Sequence, residues 1–308
     1  MDKKILSTLF IISLLSLVGC AKETSNKTTA PFIGGSTGLE INFIAGEPPE
    51  EALDAGQFPF ITTVSVENKG EWDVSKADVV VTLRGFRPAD FSNPVMSKSP
   101  DEDLAKSYID IDGNIIPGTF THVSFDGFNY AGTLQANNAF PILADVCYKY
   151  GTKSQLDICY LKDLTVENEV CTIKGSKPIY SSSAPVSVEN LQEEVAGSNK
   201  IAFSFDITHR GTGLLSKLGT SCNTADDLAN KNKVWVEVNS DLTGLTCSGL
   251  TDGTTAANGY ATLYSGKRHV RCTQNVPGDG DYIKKASVIL TYDYKETVRT
   301  EVLIKHVS

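Results

Sequence analysis

The sequence lacks several features that would assign a function directly. No cluster of Lys or Arg occurs, and 28 basic against 37 acidic side chains give a formal net charge of −9. An acidic chain without a basic patch is not expected to bind nucleic acid. His, Met and Trp are scarce, at four, two and two residues, and no Cys-x-x-Cys pair is present. The sequence therefore predicts no metal site, no cofactor and no catalytic residue, and it favours a non-enzymatic protein.

The N-terminal residues direct the chain out of the cytoplasm. Lys3 and Lys4 precede an apolar stretch from Ile5 to Val18 that is broken only by Ser and Thr. A membrane-spanning helix needs about 20 apolar residues, so this shorter stretch predicts the core of a signal peptide. No other apolar run in the sequence is long enough to span a membrane.

The four residues at the end of this core, Leu17 to Cys20 (LVGC), resemble the lipobox of prokaryotic lipoprotein precursors. The resemblance implies that residues 1–19 are removed by cleavage between Gly19 and Cys20, and that the Cys20 thiol carries the lipid. Two or more acyl chains hold a protein stably on a bilayer. We therefore expect an extracytoplasmic protein that is lipid-anchored to the cell membrane, with an ordinary secretory signal as the alternative.

Residues 20–37 are the expected flexible linker behind the lipidated cysteine. The segment from Ala21 to Thr37 is rich in Thr, Ser, Gly and Lys, and a flexible chain of this length spans roughly 20–25 Å on average. It contains a glycosylation sequon at Asn26, usable only in a host with the machinery. Gly34 to Gly38 matches the G-x-S-x-G pattern of hydrolase nucleophiles. Its neighbours lack the required strand and helix, so we interpret it as linker.

Beyond the linker, composition and pattern predict a folded all-β protein. Apolar residues make up 41% and charged residues 21% of the 308 residues, which is globular, and the length suggests about two domains. Apolar and polar residues alternate at 58–67 and again at 201–208, and each run ends in a Gly turn. This alternation is typical of half-buried strands.

The two halves of the sequence look alike, which predicts a duplication. Residues 144–160 and 286–305 can each be interpreted as a strand, a polar turn and a second strand. We therefore predict two β-sandwich domains in tandem, at about 38–180 and 183–308. The Pro- and Ser-containing segment from Lys177 to Pro185 marks their junction.

The first half contains the pattern V-x-V-x-N-x-G from Val64 to Gly70. This pattern is similar to the cell-adhesion-related (CARDB-like) immunoglobulin-like domains of bacterial and archaeal surface proteins. The resemblance implies two immunoglobulin-like β-sandwiches in tandem. It covers only part of each half, and residues 208–211 (THRG) in the second half have no Asn at the matching place. It therefore says more about fold than about function.

Six cysteines remain once Cys20 is set aside, and an exported chain meets oxidising conditions, so we expect disulfides. A hairpin turning at Lys153 would place Cys147 opposite Cys159, and Cys159 with Cys171 is the rival pairing. Cys247 with Cys272 is favoured in the second half, which would leave Cys171 and Cys222 to tie the domains together. The candidates are Cys147, Cys159, Cys171, Cys222, Cys247 and Cys272.

Residues 87–116 lack strand alternation, and we interpret them as an insertion in the first domain. Ser99 to Glu102 (SPDE) has the form of a capping box and predicts a short helix from Pro100 to about Ser107. Thr224 to Lys231 is a second candidate helix. Asp110 to Asn114 (DIDGN) fails the EF-hand pattern and predicts an Asp-Gly turn, with a nonstandard calcium site as the alternative.

These features favour a lipid-anchored, non-enzymatic module of the cell envelope with a structural, adhesive or binding role. Its expected partners are the membrane, through the anchor, and an envelope protein or glycan bound by sandwich edges and loops. The alternative is a surface hydrolase or glycan-processing accessory with its site in the 87–116 insertion. That activity would need two carboxylates brought together near Asp101, Asp110 or Asp112.

Overall fold

The computed structural model describes residues 30–166, 169–220, 222 and 228–307. The predicted signal peptide, Gly19, Cys20 and the sequon lie outside these residues, as do residues 224–227 of the candidate helix from Thr224 to Lys231. The described residues 228–231 of that segment form a turn and an isolated bridge to Ser216, not a helix. Contacts group Pro31–Ser308 into one compact unit. Within the described chain, no helix is both long enough and apolar enough to cross a membrane.

The described chain is almost entirely β, as the alternation predicts. Its helical turns, within the described residues, are two 3₁₀ turns at Lys76–Asp78 and Pro88–Phe91. The strands are β1 (Leu39–Phe43), β2 (Glu51–Leu53), β3 (Phe60–Asn68), β4 (Val79–Arg84), β5 (Ser97–Lys98), β6 (Tyr108–Ile109), β7 (Ile115–Ile116), β8 (Phe120–Phe128), β9 (Asn138–Tyr160), β10 (Gly175–Ser176), β11 (Ile179–Ser181), β12 (Val186–Gly197), β13 (Lys200–His209), β14 (Leu214–Ser216), β15 (Lys233–Asn239), β16 (Thr246–Ser248), β17 (Asn258–Thr262), β18 (Lys267–Asn275) and β19 (Tyr282–Lys305).

The strands form three larger sheets and one separate hairpin. One sheet has the order β1-β3-β8, and a second has the order β10-β12-β13-β18-β16. The nine-stranded sheet runs β17-β15-β19-β9-β4-β5, with β2, β11 and β14 added to it, while β6 pairs with β7 alone. Buried side chains of all three larger sheets belong to one hydrophobic core, which gives the layered arrangement of a β-sandwich.

The two halves have similar strand orders. In the first half, one sheet contains β1, β3 and β8, and another contains β4 and β9. The second half has the same arrangement, with β12, β13 and β18 in one sheet and β15 and β19 in another. The turns after β3 and β13 are also bonded alike. The amides of Lys69–Gly70 donate to the carbonyl of Gly38, and those of Arg210–Gly211 donate to the carbonyl of Pro185. The two halves therefore repeat one pattern of strands and turns.

The long strands β9 and β19 join the two halves. They pair antiparallel along all 23 residues of β9, beginning with Tyr282 opposite Tyr160. The hairpins predicted within residues 144–160 and 286–305 are therefore wrong, because each strand continues straight and its second part pairs with the other half. The halves exchange their final strands and are joined through a shared sheet rather than lying as separate bodies.

The turn expected at Lys153 is a strand because its polar neighbours have partners inside the protein. Thr152 and Ser154 point inward and are buried. The Thr152 hydroxyl donates to the carbonyl of Val186, and the hydroxyls of Ser154 and Ser181 are bonded at 2.7 Å. Polar composition suggested a turn, but buried polar groups are tolerated in a strand when they are hydrogen-bonded.

The V-x-V-x-N-x-G motif has a structural role at the end of β3. The Asn68 amide group donates to the carbonyls of Trp72 and Leu104, at 2.8 and 3.0 Å, and its oxygen accepts a bond from Tyr150 at 3.2 Å. A Cβ on Gly70 would lie 2.0 Å from the Tyr150 hydroxyl, so the position requires glycine. The motif therefore fixes the turn against the shared sheet.

Three disulfides are present, and they indicate an oxidising, extracytoplasmic compartment. Both the favoured Cys247–Cys272 pair and the rival Cys159–Cys171 pair are found. The pairing of Cys147 with Cys159 is wrong because both lie on the straight strand β9, where their separation is about 40 Å. The expected link between Cys171 and Cys222 is also wrong, since Cys171 pairs with Cys159. Cys147 instead forms a disulfide with Cys222 and links the two halves.

Candidate functional site

The 87–116 insertion does not contain the predicted helix from Pro100 to Ser107. Leu104 instead exchanges two backbone hydrogen bonds with Val74, at 2.8 and 3.0 Å, and is fully buried. The Asp103 carboxylate beside it accepts the amide of Lys76 at 2.8 Å. Burial of Leu104 in an extended segment overrides the local helix signal, as tertiary context often does.

A two-stranded hairpin projects from the insertion immediately before β8. Its strands β6 and β7 pair with Tyr108 opposite Ile116. At its base, the buried Ser107 hydroxyl donates to the carbonyl of Asn68 at 3.0 Å and accepts the amide of Gly118 at 3.1 Å. The base of the hairpin is thereby fixed to the end of β3.

Asp110 shapes the tip of this hairpin. Its carboxylate accepts the amides of Asn114 and Asp112 at 2.8 and 2.9 Å, and the Asn114 side chain at 3.2 Å. These bonds, with the Asn114 amide foremost, lower the pKa of Asp110. The predicted Asp-Gly turn is present, with Gly113 at a φ of 85°, where a side chain would be strained. The turn holds Ile111 at the apex.

The hairpin displays large apolar side chains to solvent. Ile111 is 102% exposed, Ile115 is 62% exposed and Tyr108 is 47% exposed. We call these three residues the apolar tip. Phe120, which begins β8, is also exposed, and its ring lies edge-on to His122 at 4.9 Å. Apolar side chains gathered on a projecting element are typical of a surface that another molecule covers.

The carboxylates that the hydrolase alternative requires lie in loops. Asp110 shapes the hairpin turn, and the backbone carbonyl of Asp101 accepts the Lys76 side chain at 2.8 Å. Five of the best-formed clefts in the described part of the chain are lined by other residues than Asp101, Asp110 and Asp112. The described residues also contain no group of three or more His, Cys, Asp or Glu side chains placed to hold a metal ion.

The last residues of the predicted linker are attached to the body through Glu71. This buried carboxylate accepts the amides of Ser183, Ile33 and Gly34 at 2.7, 2.9 and 3.0 Å. Bonds from amides to a charged carboxylate are among the stronger hydrogen bonds in proteins. Residues 33–37 of the predicted linker are therefore attached to the body, and the G-x-S-x-G motif belongs to this attached segment. Sequence reasoning missed Glu71 because its partners are distant in the chain.

A buried acid, Asp54, binds the C-terminal end of the described chain through hydrogen bonds. Asp54 is fully buried and accepts the His306 ring at 2.9 Å and the amides of Leu134 and Val307 at 2.8 and 3.0 Å. The hydrogen bond from His306 is the largest of the effects that lower the pKa of Asp54 to about 2. No local pattern connects these residues, so the sequence did not single them out.

A second buried acid, Glu193, lies inside the sandwich opposite Phe203. One carboxylate oxygen accepts the amide of Cys159 at 3.1 Å, and the Lys177 ammonium lies 3.8 Å away. Within the described residues, the other oxygen has no hydrogen-bond partner, and neither does the buried hydroxyl of Tyr160. Burial raises the pKa of Glu193 to about 8.

The sequence alone suggests that Glu193 is solvated, because a second acid, Glu194, follows it and adjacent acids are usually at the surface. The strand carries an irregularity between Glu189 and Gln192, with Asn190 at a φ of 56°. This bulge shifts the alternation by which inward positions are recognised. Glu193 therefore faces the core although its neighbours in the sequence are polar.

The structure thus combines one projecting apolar hairpin, three disulfides and a fixed end of the linker in a single β body. Neither protein-family models nor curated proteins give a match to this sequence. The function is therefore argued from the geometry of the described residues.

Proposed function

We propose that the chain is a lipid-anchored protein of the outer cell surface that acts as a non-enzymatic binding or adhesion module of the envelope. The observation that carries the proposal is the complete exposure of Ile111 on a turn held by Asp110. A preorganised protrusion loses little conformational entropy when a partner covers it. Covering one such side chain contributes about 1.5–3 kcal/mol.

The location rests on two further observations. The Leu17 to Cys20 segment resembles a lipobox, which supports a lipid at Cys20. The three disulfides support an extracytoplasmic setting. The layered sheets are compatible with the immunoglobulin-like resemblance of Val64 to Gly70, in which loops and edges supply binding surfaces. The partner is then an envelope protein or a glycan.

The binding role is tested with the unacylated body, residues 21–308, immobilised and exposed to the envelope fraction of the source cells. We expect the wild-type body to retain a partner, and Ile111→Ser to weaken its affinity at least tenfold, since tenfold corresponds to about 1.4 kcal/mol. Ile283→Ser is the matched control, because Ile283 is 54% exposed on a different strand. Equal losses in both variants, or retention of nothing by the wild type, would contradict the proposal.

The anchor is tested separately in cells. We expect the wild-type protein to partition with membranes and a Cys20→Ser variant to appear in the soluble extracytoplasmic fraction. Membrane association that is unchanged by this substitution would rule out the lipid anchor.

A further inference from the structure

The three-stranded sheet ends on a long edge strand. β8 has nine residues and, within the described residues, pairs along one side only, with β3. β1, at the other edge of the same sheet, has five residues. The edge strands β5, β10 and β16 have two or three residues, and β17 is capped by two backbone bonds between Tyr260 and Thr251. Proteins usually keep exposed edges short, because an edge recruits another strand.

Hydrogen bonds to its other neighbours fix the direction of the backbone groups of β3. Thr63 donates its amide to Glu47 at 3.3 Å and accepts the amide of Ile44 at 3.1 Å, so its backbone points away from β8. Backbone groups alternate in direction along a strand, so those of Val64 point toward β8, where Val64 lies opposite Val123.

The same alternation fixes the direction of the groups of β8. The backbone of Val123 points toward β3, so the amides and carbonyls of Phe120, His122 and Ser124 point outward. All three residues lie at the surface. Within the described residues, the outward backbone amides and carbonyls of Phe120 and His122 have no hydrogen-bond partner, and the amide of Ser124 has none either.

The insertion closes both ends of this stretch and leaves its middle uncovered. At one end, Thr119 donates its amide to the carbonyl of Ala105 at 2.9 Å. At the other end, the Lys98 ammonium donates to the carbonyl of Ser124 at 2.8 Å. We call Phe120–Ser124 the open edge. At about 3.4 Å per residue it spans about 17 Å, which suits a strand of four or five residues.

In the second half of the chain, a short strand covers part of the corresponding edge. Val123 and Val270 are equivalent, since they lie opposite Val64 of β3 and Phe205 of β13. In the second half, β16 pairs with Arg271–Thr273 of β18, the equivalents of Ser124–Asp126, and is held there by the Cys247–Cys272 disulfide. Within the described residues, the equivalent edge in the first half receives no such strand.

We propose that the open edge accepts an extended segment of an envelope protein as an added β-strand. The segment extends the first sheet next to the position that β16 takes in the second, through backbone hydrogen bonds to Phe120, His122 and Ser124. Its side chains alternate in direction, and the exposed ring of Phe120 selects an apolar residue at the position beside it. This inference rests on the proposed binding function and names the class of partner.

The first test is amide hydrogen exchange, read residue by residue on the unbound body. We expect fast exchange at His122 and Ser124 and slow exchange at Thr121 and Val123, which face β3. Slow exchange at all four residues would show that the edge is already covered and would overturn the inference.

The second test adds the partner captured from the envelope fraction. We expect protection at residues 120, 122 and 124, and loss of binding in His122→Pro, because proline removes an outward amide without breaking the ladder to β3. His122→Val keeps the amide and is the matched control. Equal thermal midpoints of the two variants would show that both fold. If the proline variant does not fold, Phe120→Ser takes its place in the binding test.

The outcomes separate this inference from the proposed function. Binding without protection of the open edge overturns the inference alone, and so does protection that sedimentation traces to a second copy of this chain. A wild-type body that retains a glycan but no envelope protein also overturns the inference alone, whereas a wild-type body that retains nothing overturns both proposals.

Discussion

Replacing Glu193 by glutamine should change how stability depends on pH. The pKa of Glu193 is raised from 4.5 to about 8 by burial. Folding therefore favours the protonated acid, so this contribution is fully present below pH 4.5 and is lost as pH rises through 8. A difference of about 3.5 pKa units corresponds to about 5 kcal/mol, at most about 1.4 kcal/mol per pH unit. That is a large share of the 5–15 kcal/mol by which typical proteins are stable.

The glutamine side chain would be neutral at every pH and would keep an oxygen to accept the Cys159 amide. We expect Glu193→Gln and the wild type to be equally stable within about 1 kcal/mol at pH 4, and the variant to be several kcal/mol more stable at pH 9. Urea unfolding of the oxidised body between pH 4 and 9 measures this. Glu194→Gln is the control, since Glu194 is exposed and paired with Arg271. A stability difference between Glu193→Gln and the wild type that does not change with pH would refute the reasoning.

Three further predictions concern the attached linker, the disulfides and the C-terminal end. Glu71→Gln should destabilise the body by about 2–3 kcal/mol and speed proteolysis near Ile33. Glu67→Gln, which removes a partly exposed ion pair with Lys69, should cost under about 1 kcal/mol. Replacing Cys147 and Cys222 by Ala should lower the free energy of unfolding by about 4.5 kcal/mol, against about 3 kcal/mol for Cys159 and Cys171. The first loss is larger because that disulfide closes the longer loop. Equal losses would contradict the loop-length argument. Asp54→Asn should destabilise the body at pH 7. The stability difference between this variant and the wild type should shrink in acid titrations as pH falls from about 4 through 2, because the folded-state pKa of Asp54 is lowered. A stability difference that does not change with pH would show that the carboxylate is not ionised in the fold.

The strand pattern of this chain could be predicted because alternation is local. Phe60, Val64 and Val66 are buried on one face of β3, as the period of two requires. The junction of the halves could not be predicted, because the polar residues 151–154 are typical of a turn. They form a strand because Thr152 and Ser154 are hydrogen-bonded to residues that are distant in the sequence. Local polarity does not reveal whether a distant acceptor is present.

The candidate site was foreseen only in position. The break in alternation at residues 87–116 directed attention to this segment, and Asp110 to Asn114 correctly predicted a turn. The exposure of Ile111 follows from the direction in which the hairpin projects, which the bonds of Ser107 to Asn68 and Gly118 determine. The predicted helix failed for the same reason, because the pairing of Leu104 with Val74 is a contact between distant residues.

Intact mass measurement of the native protein, before and after reduction, tests the central claim most directly. A chain that is anchored outside the cell should begin at Cys20, carry the added mass of acyl groups, and gain about 6 Da when its three disulfides are reduced. A polypeptide that retains residues 1–19, carries no acyl group and keeps the same mass on reduction would contradict the account.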